Sequence, residues 1–320
     1  MRSVARLVVF ALALFLAIPA ARSGEDWRAA WPETDFSKHA VALDEISSGG
    51  PEKDDIPSID APVFARIAEG LADLAPTEPV VTVSVGGDAR AYPLRILIWH
   101  EIVNDTVGGV PLAVTYCPLC NSAIVFDRRV EGEALSFGTT GKLRKSGLIM
   151  YDRSTESWWQ QYTGEAIVGS MTGARLRAVP ARMESAELFA ERHPEGRLLV
   201  PNDPSMRPYG INPYKGYDTM PVPFLYDGSM PEALPAMTRV VVVGDTAWSL
   251  PFLREKGGWS GDGLKIVWSP GQNSALDTRR IPEGRDIGNI VVTRDGVDIA
   301  HEITFAFVFH AFRPDGEIVY

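Results

Sequence analysis

Residues 112–123 read Leu-Ala-Val-Thr-Tyr-Cys-Pro-Leu-Cys-Asn-Ser-Ala, a β-rich run interrupted by two cysteines three positions apart. The β-branched and aromatic residues before Cys117 predict a strand, and the proline and asparagine that follow are typical of a tight turn. The β pattern resumes over residues 123–128, so the segment predicts strand, turn and strand. Cys117 and Cys120 are the only cysteines in the chain.

A second stretch of the chain resembles this one at an offset of about 152 residues. Residues 264–275 read Leu-Lys-Ile-Val-Trp-Ser-Pro-Gly-Gln-Asn-Ser-Ala, in which Ser269 and Gln272 replace the two cysteines. Weaker matches lie on either side in the same order. The alternative is turn chemistry shared by unrelated hairpins. We interpret the pattern as an internal duplication and expect a β-rich α+β fold of two related halves in one compact unit.

The chain divides into five predicted segments. A basic start, a short apolar run and small residues predict a signal peptide over residues 1–23. The other segments are an N-terminal arm at 24–62, a first β-rich half at 63–200, a proline- and aromatic-rich connection at 201–236, and a degenerate second half at 237–320. Apolar spacing also predicts helices over residues 61–74 and 94–102.

Charge and hydropathy restrict where the protein acts and what it binds. The apolar run of the predicted signal peptide is too short to cross a bilayer, and a retained membrane anchor is the alternative. We therefore expect an exported protein, periplasmic or extracellular, with no transmembrane segment in the mature chain. The formal net charge of −10 and the lack of a Lys/Arg cluster disfavour nucleic acid as a partner.

Two thiols in an exported chain indicate a metal site, redox chemistry or a structural disulfide. A Cys-x-x-Cys turn between strands is typical of a metal-binding knuckle, and His100 is the nearest further ligand. We predict Cys117, Cys120 and His100 as ligands of a transition metal, zinc or copper. The second repeat lacks both cysteines and the His100-Glu101 pair, which favours a function for them beyond shaping the turn.

Four further residues complete the predicted site. Glu101 and Asp152 are candidate acid–base groups beside a metal-bound water. Arg153 and Trp158 are candidate substrate-binding residues, through carboxylate pairing and ring stacking. Each group also has an ordinary interpretation. Asp152 and Arg153 could form a buried polar turn, and Trp158 could belong to the core. His100 could likewise be a helix histidine that packs in the core.

Three classes of function follow from these residues. The leading hypothesis is an exported metal-binding protein or metalloenzyme whose partner is a small molecule or a metal ion. The second is a thiol–disulfide redox protein, or a protein stapled by a Cys117–Cys120 disulfide. The third is a binding module for a small acidic or carbohydrate ligand, formed by Arg153 and the aromatic-rich residues 201–235.

Several motifs together resemble a family of exported bacterial and archaeal proteins known as a domain of unknown function. They are, in order, Ala91-Tyr-Pro-Leu94, His100-Glu-Ile-Val-Asn-Asp105, Thr115-Tyr-Cys-Pro-Leu-Cys120, Phe137-Gly138, Met150-Tyr-Asp-Arg153, Ser157-Trp-Trp-Gln160 and Gly164. The resemblance covers about residues 61–320 and implies that the motifs surround one pocket. It implies no activity, substrate or cofactor. The pair Trp158-Trp159 departs from the single tryptophan usual in the family.

Overall fold

The computed structural model describes residues 27–320, and the predicted signal peptide lies outside these described residues. The α-helices in this part of the chain are short: α1 (Trp27–Ala30), α2 (Ile67–Gly70), α3 (Leu94–His100), α4 (Ala186–Arg192), α5 (Leu250–Lys256) and α6 (Ala306–Phe312). Single 3-10 turns lie at Leu43–Glu45, Tyr217–Thr219 and Ile281–Glu283. Within residues 27–320, no helix has the length and apolar character needed to cross a membrane.

Strands form most of the regular structure. In chain order they are β1 (Ile46–Ser48), β2 (Val63–Arg66), β3 (Pro79–Val85), β4 (Asp88–Pro93), β5 (Ile102–Val107), β6 (Val110–Cys117), β7 (Ser122–Asp127), β8 (Arg129–Val130), β9 (Glu133–Ala134), β10 (Phe137–Arg144), β11 (Gly147–Asp152), β12 (Trp158–Gln160), β13 (Glu165–Val168), β14 (Arg177–Val179), β15 (Arg182–Ser185), β16 (Arg197–Val200), β17 (Arg239–Val243), β18 (Thr246–Ser249), β19 (Gly258–Gly261), β20 (Leu264–Ser269), β21 (Asn289–Arg294), β22 (Val297–Asp298), β23 (Glu302–Phe305) and β24 (Glu317–Val319). The prediction of a β-rich fold with few helices is confirmed.

Five sheets of four or five strands carry the architecture, together with the small hairpin β8-β9. Their strand orders are β1-β10-β11-β12-β13, β14-β7-β6-β5, β15-β3-β4-β16-β2, β23-β17-β18-β24 and β19-β20-β21-β22. In number and size they are comparable with the blades of a five-bladed β-propeller. Two of them depart from the usual all-antiparallel blade, because β16 pairs with β4, and β24 with β18, in parallel.

One order of elements occurs twice along the chain. Strands β3 and β4, helix α3 and strands β5, β6 and β7 are matched later by β17, β18, α5, β19, β20 and β21. The order β15-β3-β4-β16 recurs as β23-β17-β18-β24, with the same antiparallel, antiparallel and parallel pairings. A helix of seven residues follows β15 in one half and β23 in the other. The two halves therefore share their sheet connectivity.

The hairpin that carries the cysteines is not repeated in the second half. Strand β6 pairs with β7 up to Cys117 and Ser122, so the turn between them is short. Strand β20 pairs with β21 up to Ser269 and Asn289, and residues 270–288 form a long connection. The match of residues 264–275 with residues 112–123 predicts the same tight turn after Ser269, and this prediction is wrong, because that segment opens a loop instead of closing a hairpin.

The two predicted helices of the first half have different outcomes. The helix expected over residues 94–102 is present as α3. The helix expected over residues 61–74 is largely wrong, because strand β2 occupies its first part and pairs with β16. Only one turn, α2, remains helical, and its Gly70 lies so close to Leu198 that a Cβ there would sit 2.5 Å from Cδ2 of the leucine. Sheet pairing outweighs the helical spacing of the apolar residues here.

The core consists of one large cluster shared by both halves and of smaller satellite clusters. Both cysteines belong to the large cluster. The most aromatic satellite forms where the N-terminal arm lies on strand β12. There, the rings of Trp27, Trp31 and Phe36 pack on Trp158 with centroid separations of 5.2, 5.2 and 5.3 Å. The arm is thus fixed to the sheet by aromatic packing.

Candidate functional site

The cysteines lie at the two ends of a β-turn between β6 and β7. The Cys120 amide donates to the Cys117 carbonyl at 3.2 Å, and the Asn121 amide donates to the Pro118 carbonyl at the same distance. Proline fixes its own φ for the first turn position, and Asn121 takes a φ of 51°, a conformation that asparagine tolerates well. The sequence Cys-Pro-Leu-Cys-Asn therefore folds locally in a way that turns both thiols to one side.

Both thiols are free and enclosed by protein. Cys117 is 2% exposed and Cys120 is 0% exposed. The Cys120 thiol donates to the Ser146 carbonyl at 3.7 Å, accepts from the Leu148 amide, and lies beside Cys117. Burial, and then the neighbouring Cys117, raise the pKa of Cys120 well above its usual range. Cys120 is therefore a protonated thiol at neutral pH.

Glu101 follows helix α3 and lies beside the two thiols. Its φ of 58° is unusual for a residue other than glycine and costs on the order of 1–3 kcal/mol. Its amide donates to the Leu97 carbonyl at 2.7 Å, and its carbonyl accepts from the Tyr116 amide at 2.8 Å. No described residue donates a hydrogen bond to its carboxyl group, and burial raises the pKa of Glu101 to about 8. The charge of Glu101 also raises the pKa of Cys120, and the hydrogen bond from the Tyr116 amide places Glu101 next to the residue that precedes Cys117.

Residues 209–226, the cover segment, close this dithiol site, which consists of Cys117, Cys120 and Glu101. The Tyr217 hydroxyl donates to the Leu119 carbonyl at 2.9 Å and accepts from the Phe224 amide at 3.3 Å. Tyr214 is a further neighbour. Burial, followed by the charges of Glu101 and Cys117, raises the pKa of Tyr214. The cover segment therefore separates the thiols and the carboxyl group from bulk solvent.

His100 does not join the cysteines as the predicted third ligand. Its Nδ1 lies 2.7 Å from the Pro57 carbonyl, and its Nε2 lies 2.8 Å from the Tyr209 hydroxyl. Burial lowers the pKa of His100, so a neutral ring donates to the carbonyl and accepts from the hydroxyl. Among residues 27–320, no group of three or more His, Cys, Asp and Glu side chains is placed to hold a metal ion. The structure thus does not assemble the three predicted ligands.

Asp152 fixes a turn in this structure, contrary to its predicted role as an acid–base group. Its fully buried carboxylate accepts from the Ser154 and Thr155 amides at 3.1 and 2.7 Å. It also accepts from the Thr155 hydroxyl at 2.8 Å and from Trp159 Nε1 at 3.0 Å. Because its acceptor sites are taken by the protein, this carboxylate has no free position for a substrate.

Replacing Asp152 with asparagine tests that structural role. We expect a loss of about 1–2 kcal/mol in the free energy of unfolding, because an amide NH₂ cannot accept from Trp159 Nε1. Thermal or urea unfolding of the variant and the parent measures the loss. Reactivity of the cysteines should stay unchanged. If the variant had native stability but had lost thiol reactivity, Asp152 would instead take part in the function of the site.

Arg153 lies in a cleft of about 490 Å³ at the edge of β11, away from the cysteine turn in sequence and in its contacts. Its guanidinium pairs with Asp60, donates to the Ser58 hydroxyl at 2.8 Å and lies 3.6 Å from Asp54. The Arg153 guanidinium, which was predicted to bind a substrate carboxylate, is therefore already paired with Asp60 and lies close to Asp54.

Trp158 is placed where no substrate can reach it. Its side chain is 0% exposed and forms the centre of the aromatic satellite cluster of the N-terminal arm. The ring-stacking role predicted for it is not supported, because all of its faces are used in core packing. The paired tryptophans follow the ordinary interpretation, in which both belong to the core.

Sequence reasoning missed a buried ion network next to the dithiol site. The Asp218 carboxylate accepts from Arg239 at 2.8 Å, from the Ser274 hydroxyl at 2.5 Å, and from two nitrogens of Arg285 at 3.0 and 2.9 Å. Burial opposes its ionisation, but the arginines and the serine hold the pKa of Asp218 below its usual range. The network lies near the cysteine turn, because Tyr217, the residue before Asp218, donates to the Leu119 carbonyl at 2.9 Å. No local sequence pattern marks these partners, because they lie far apart in the chain.

Comparison with known proteins gives a family without an activity. Neither a search of curated proteins nor a search of solved structures found a match. Residues 53–316 match the model of the family described as protein of unknown function, DUF3179. This match spans most of the chain, so the protein belongs to the DUF3179 family.

Proposed function

We propose that the protein is an exported thiol–disulfide protein in which Cys117 and Cys120 interconvert between a dithiol and a disulfide. The observation that carries the proposal is the placement of two free thiols at the ends of one tight turn, with the carboxyl group of Glu101 nearby. The ends of a β-turn lie within about 7 Å between Cα atoms, which includes the separation that a disulfide requires. The turn therefore suits both redox states with little backbone movement.

The chemistry is exchange with a disulfide-bearing partner. The Cys117 thiolate attacks one sulfur of the partner disulfide, and the partner's first thiolate leaves and takes up a proton. Cys120 then loses its proton to Glu101, attacks the mixed disulfide at Cys117 and releases the second partner thiol. Two electrons pass to the partner, and the Cys117–Cys120 bond forms. Only the ionised fraction of Glu101 accepts this proton, and because the pKa of Glu101 is about 8, the transfer becomes faster as the pH rises from neutral toward 8.

The predicted export supports this assignment, because disulfides persist in oxidising compartments. Because both thiols are buried, exchange with a partner requires a local movement of the protein. The cover segment must move before a partner reaches Cys117, and the hydrogen bond from Tyr217 to the Leu119 carbonyl is one contact that has to break. Loss of that contact leaves the β-turn itself intact, because its own backbone hydrogen bonds do not involve the cover segment.

Equilibration of the protein in glutathione redox buffers tests the proposal. We expect a reversible Cys117–Cys120 disulfide with a reduction potential above about −300 mV, the region in which exchange with glutathione occurs. Glu101→Gln should keep the disulfide and slow its formation by about a hundredfold near neutral pH, because the proton acceptor is lost. Quantification of free thiols after acid quenching measures both quantities.

Matched variants separate exchange from side reactions. Cys117→Ser and Cys120→Ser each remove the intramolecular disulfide, and Glu133→Gln changes an exposed glutamate without altering the dithiol site. A disulfide that resists glutathione would mean a structural staple. A pair of thiols that never oxidises would also contradict the proposal.

Binding of one soft metal ion by the two thiolates is a second candidate function. Copper(I) is the ion that thiolate ligands select most strongly among the two predicted metals. The observation in its favour is the Leu148 amide, which donates to the Cys120 sulfur as amides do in metal–thiolate sites. Reconstitution with copper(I) or zinc under reducing conditions, followed by metal analysis, tests it. One ion per chain that is lost in Cys117→Ser supports it, and the absence of bound metal contradicts it.

We further propose that the two halves arose by internal duplication. The shared sheet connectivity supports this, as does a matching helix end in each half. Gly196 and Gly316 lie against Phe189 and Phe309, so that a Cβ at either glycine would sit 2.7 or 2.4 Å from Cζ of the ring. In the second half a long loop replaces the cysteine turn, so the thiol chemistry belongs to the first half alone.

A further inference from the structure

The second half of the chain contains a cleft of about 590 Å³ that the proposed thiol chemistry does not use. Helix α5 forms one wall, and the loop of residues 270–288 forms another through Arg285, Asp286 and Ile287. This loop joins β20 to β21. It therefore corresponds in position to the cysteine turn, which joins β6 to β7 in the first half. The volume lies in the range of small-molecule sites, and apolar residues contribute much of the lining.

Arg239 brings a buried cation to this cleft. It is 6% exposed and lines the cleft, while its Nη2 donates to Asp218 and to Ser274 at 2.8 Å each. Neither its Nε nor its Nη1 donates to an atom of the described residues, and Nε is fully enclosed. A buried guanidinium with unused donors is costly, and a ligand oxygen would satisfy it.

Arg254 supplies a second cation from helix α5. Its guanidinium carbon lies 5.7 Å from the centroid of the Trp268 ring, and both residues line the cleft. Within residues 27–320 it has no ion-pair partner, whereas the third arginine of the cleft, Arg285, pairs with Asp218 and Asp277. Two guanidinium groups with free donors thus line a cleft that also contains an indole ring and apolar side chains.

The acidic residues of the cleft limit the charge of a ligand. The Asp286 carboxylate accepts from the Gly271 and Gly288 amides at 3.0 and 2.8 Å, and Glu255 accepts from Lys256 at 2.8 Å. Both carboxyl groups line the cleft together with Arg239 and Arg254. A doubly charged phosphate is therefore less suited to the cleft than a single carboxylate.

We propose that this cleft binds a small organic monocarboxylate with an aromatic or other apolar body. The carboxylate pairs with Arg254 and with the unused edge of Arg239, and the apolar body lies against Trp268, Leu250 and Pro251. This site is independent of the dithiol chemistry, since its lining contains neither cysteine.

Titration of the full-length protein with benzoate, followed by calorimetry and ligand-observed NMR, tests the proposal. Benzyl alcohol and benzylamine serve as uncharged and cationic probes of similar shape, and phenyl phosphate as the doubly charged one. We expect benzoate to bind at least about tenfold more tightly than each of the other three. Arg254→Gln should weaken benzoate binding by about tenfold without affecting benzyl alcohol. Lys265→Gln, at an exposed position of strand β20 outside the lining, should leave binding unchanged.

Three results would overturn the proposal. One is no binding of benzoate at millimolar concentration, and the second is equal binding to the parent and to Arg254→Gln. The third is tighter binding of phenyl phosphate, which would make the cleft a phosphate site. Arg254 is exposed on its helix, so its replacement should not unfold the protein. The experiment therefore does not depend on substituting the buried Arg239.

Discussion

Glu101→Gln is expected to raise the free energy of unfolding at a pH of about 9 by up to roughly 5 kcal/mol and to leave it nearly unchanged at a pH of about 4. The reason is burial, which raises the pKa of Glu101 from 4.5 to about 8. Each unit of such a shift corresponds to about 1.4 kcal/mol. This makes Glu101 the largest single pH-dependent cost that we identify in the dithiol site.

The direction follows from proton binding. Between 4.5 and about 8, the folded protein holds the Glu101 proton and the unfolded chain has released it. The folded state therefore binds more protons in this window, and stability falls as the pH rises. Below 4.5, both states are protonated and the penalty is absent. Above about 8, the buried carboxylate is charged and the full penalty applies.

Urea unfolding of the parent and the variant at a series of pH values measures the difference. Glutamine resembles the protonated acid in shape and keeps the same backbone conformation, so the strain at this position cancels in the comparison. Glu255→Gln, at an exposed position of helix α5, should give no comparable gain. A gain from Glu101→Gln that is equal at acidic and alkaline pH would contradict the prediction.

Asp218→Asn is expected to lower the free energy of unfolding by about 3–5 kcal/mol. The substitution removes the counter-ion of Arg239, whose side chain is 5% exposed, while that of the aspartate is 0% exposed. An arginine left charged and enclosed without a carboxylate has lost its solvation and its partner together. Urea unfolding curves of parallel slope give the loss directly.

Two further variants show whether the buried charge is the cause. The double variant Asp218→Asn with Arg239→Met should recover much of the lost stability, because it removes both charges. Arg285→Gln removes a partner that is 40% exposed and should cost no more than about 1 kcal/mol. If the double variant is as unstable as Asp218→Asn alone, packing around the arginine would be the reason instead of its charge.

Features that depend on neighbouring residues were predicted correctly from the sequence. The hairpin around the cysteines and the helix before Glu101 arise from turn chemistry and apolar spacing within a few positions. The helix was predicted to run to Ile102 but ends at His100, and the unusual φ of Glu101, which ends it, was not predicted. Nothing in Glu101 itself marks the position where the chain must turn sharply to begin strand β5.

Contacts between residues that are distant in the chain could not be predicted from local sequence patterns. His100 reads equally well as a metal ligand and as a packed side chain until its contacts to Pro57 and Tyr209 are known. These partners lie 43 and 109 residues away in the chain. Trp158 likewise needed the aromatic residues of the arm to be recognised as core. Strand β2 was mistaken for a helix because its partner β16 follows more than a hundred residues later.

Because the cover segment encloses the cysteines, the rate at which they are labelled reports how often this segment unfolds locally. Because Cys117 and Cys120 are enclosed, a thiol reagent can react only in the fraction of time during which the segment has detached. The labelling rate then measures the free energy of that opening, with each tenfold slowing equal to about 1.4 kcal/mol. Removing the Tyr217 hydroxyl, which holds the Leu119 carbonyl, should therefore speed labelling without unfolding the two halves.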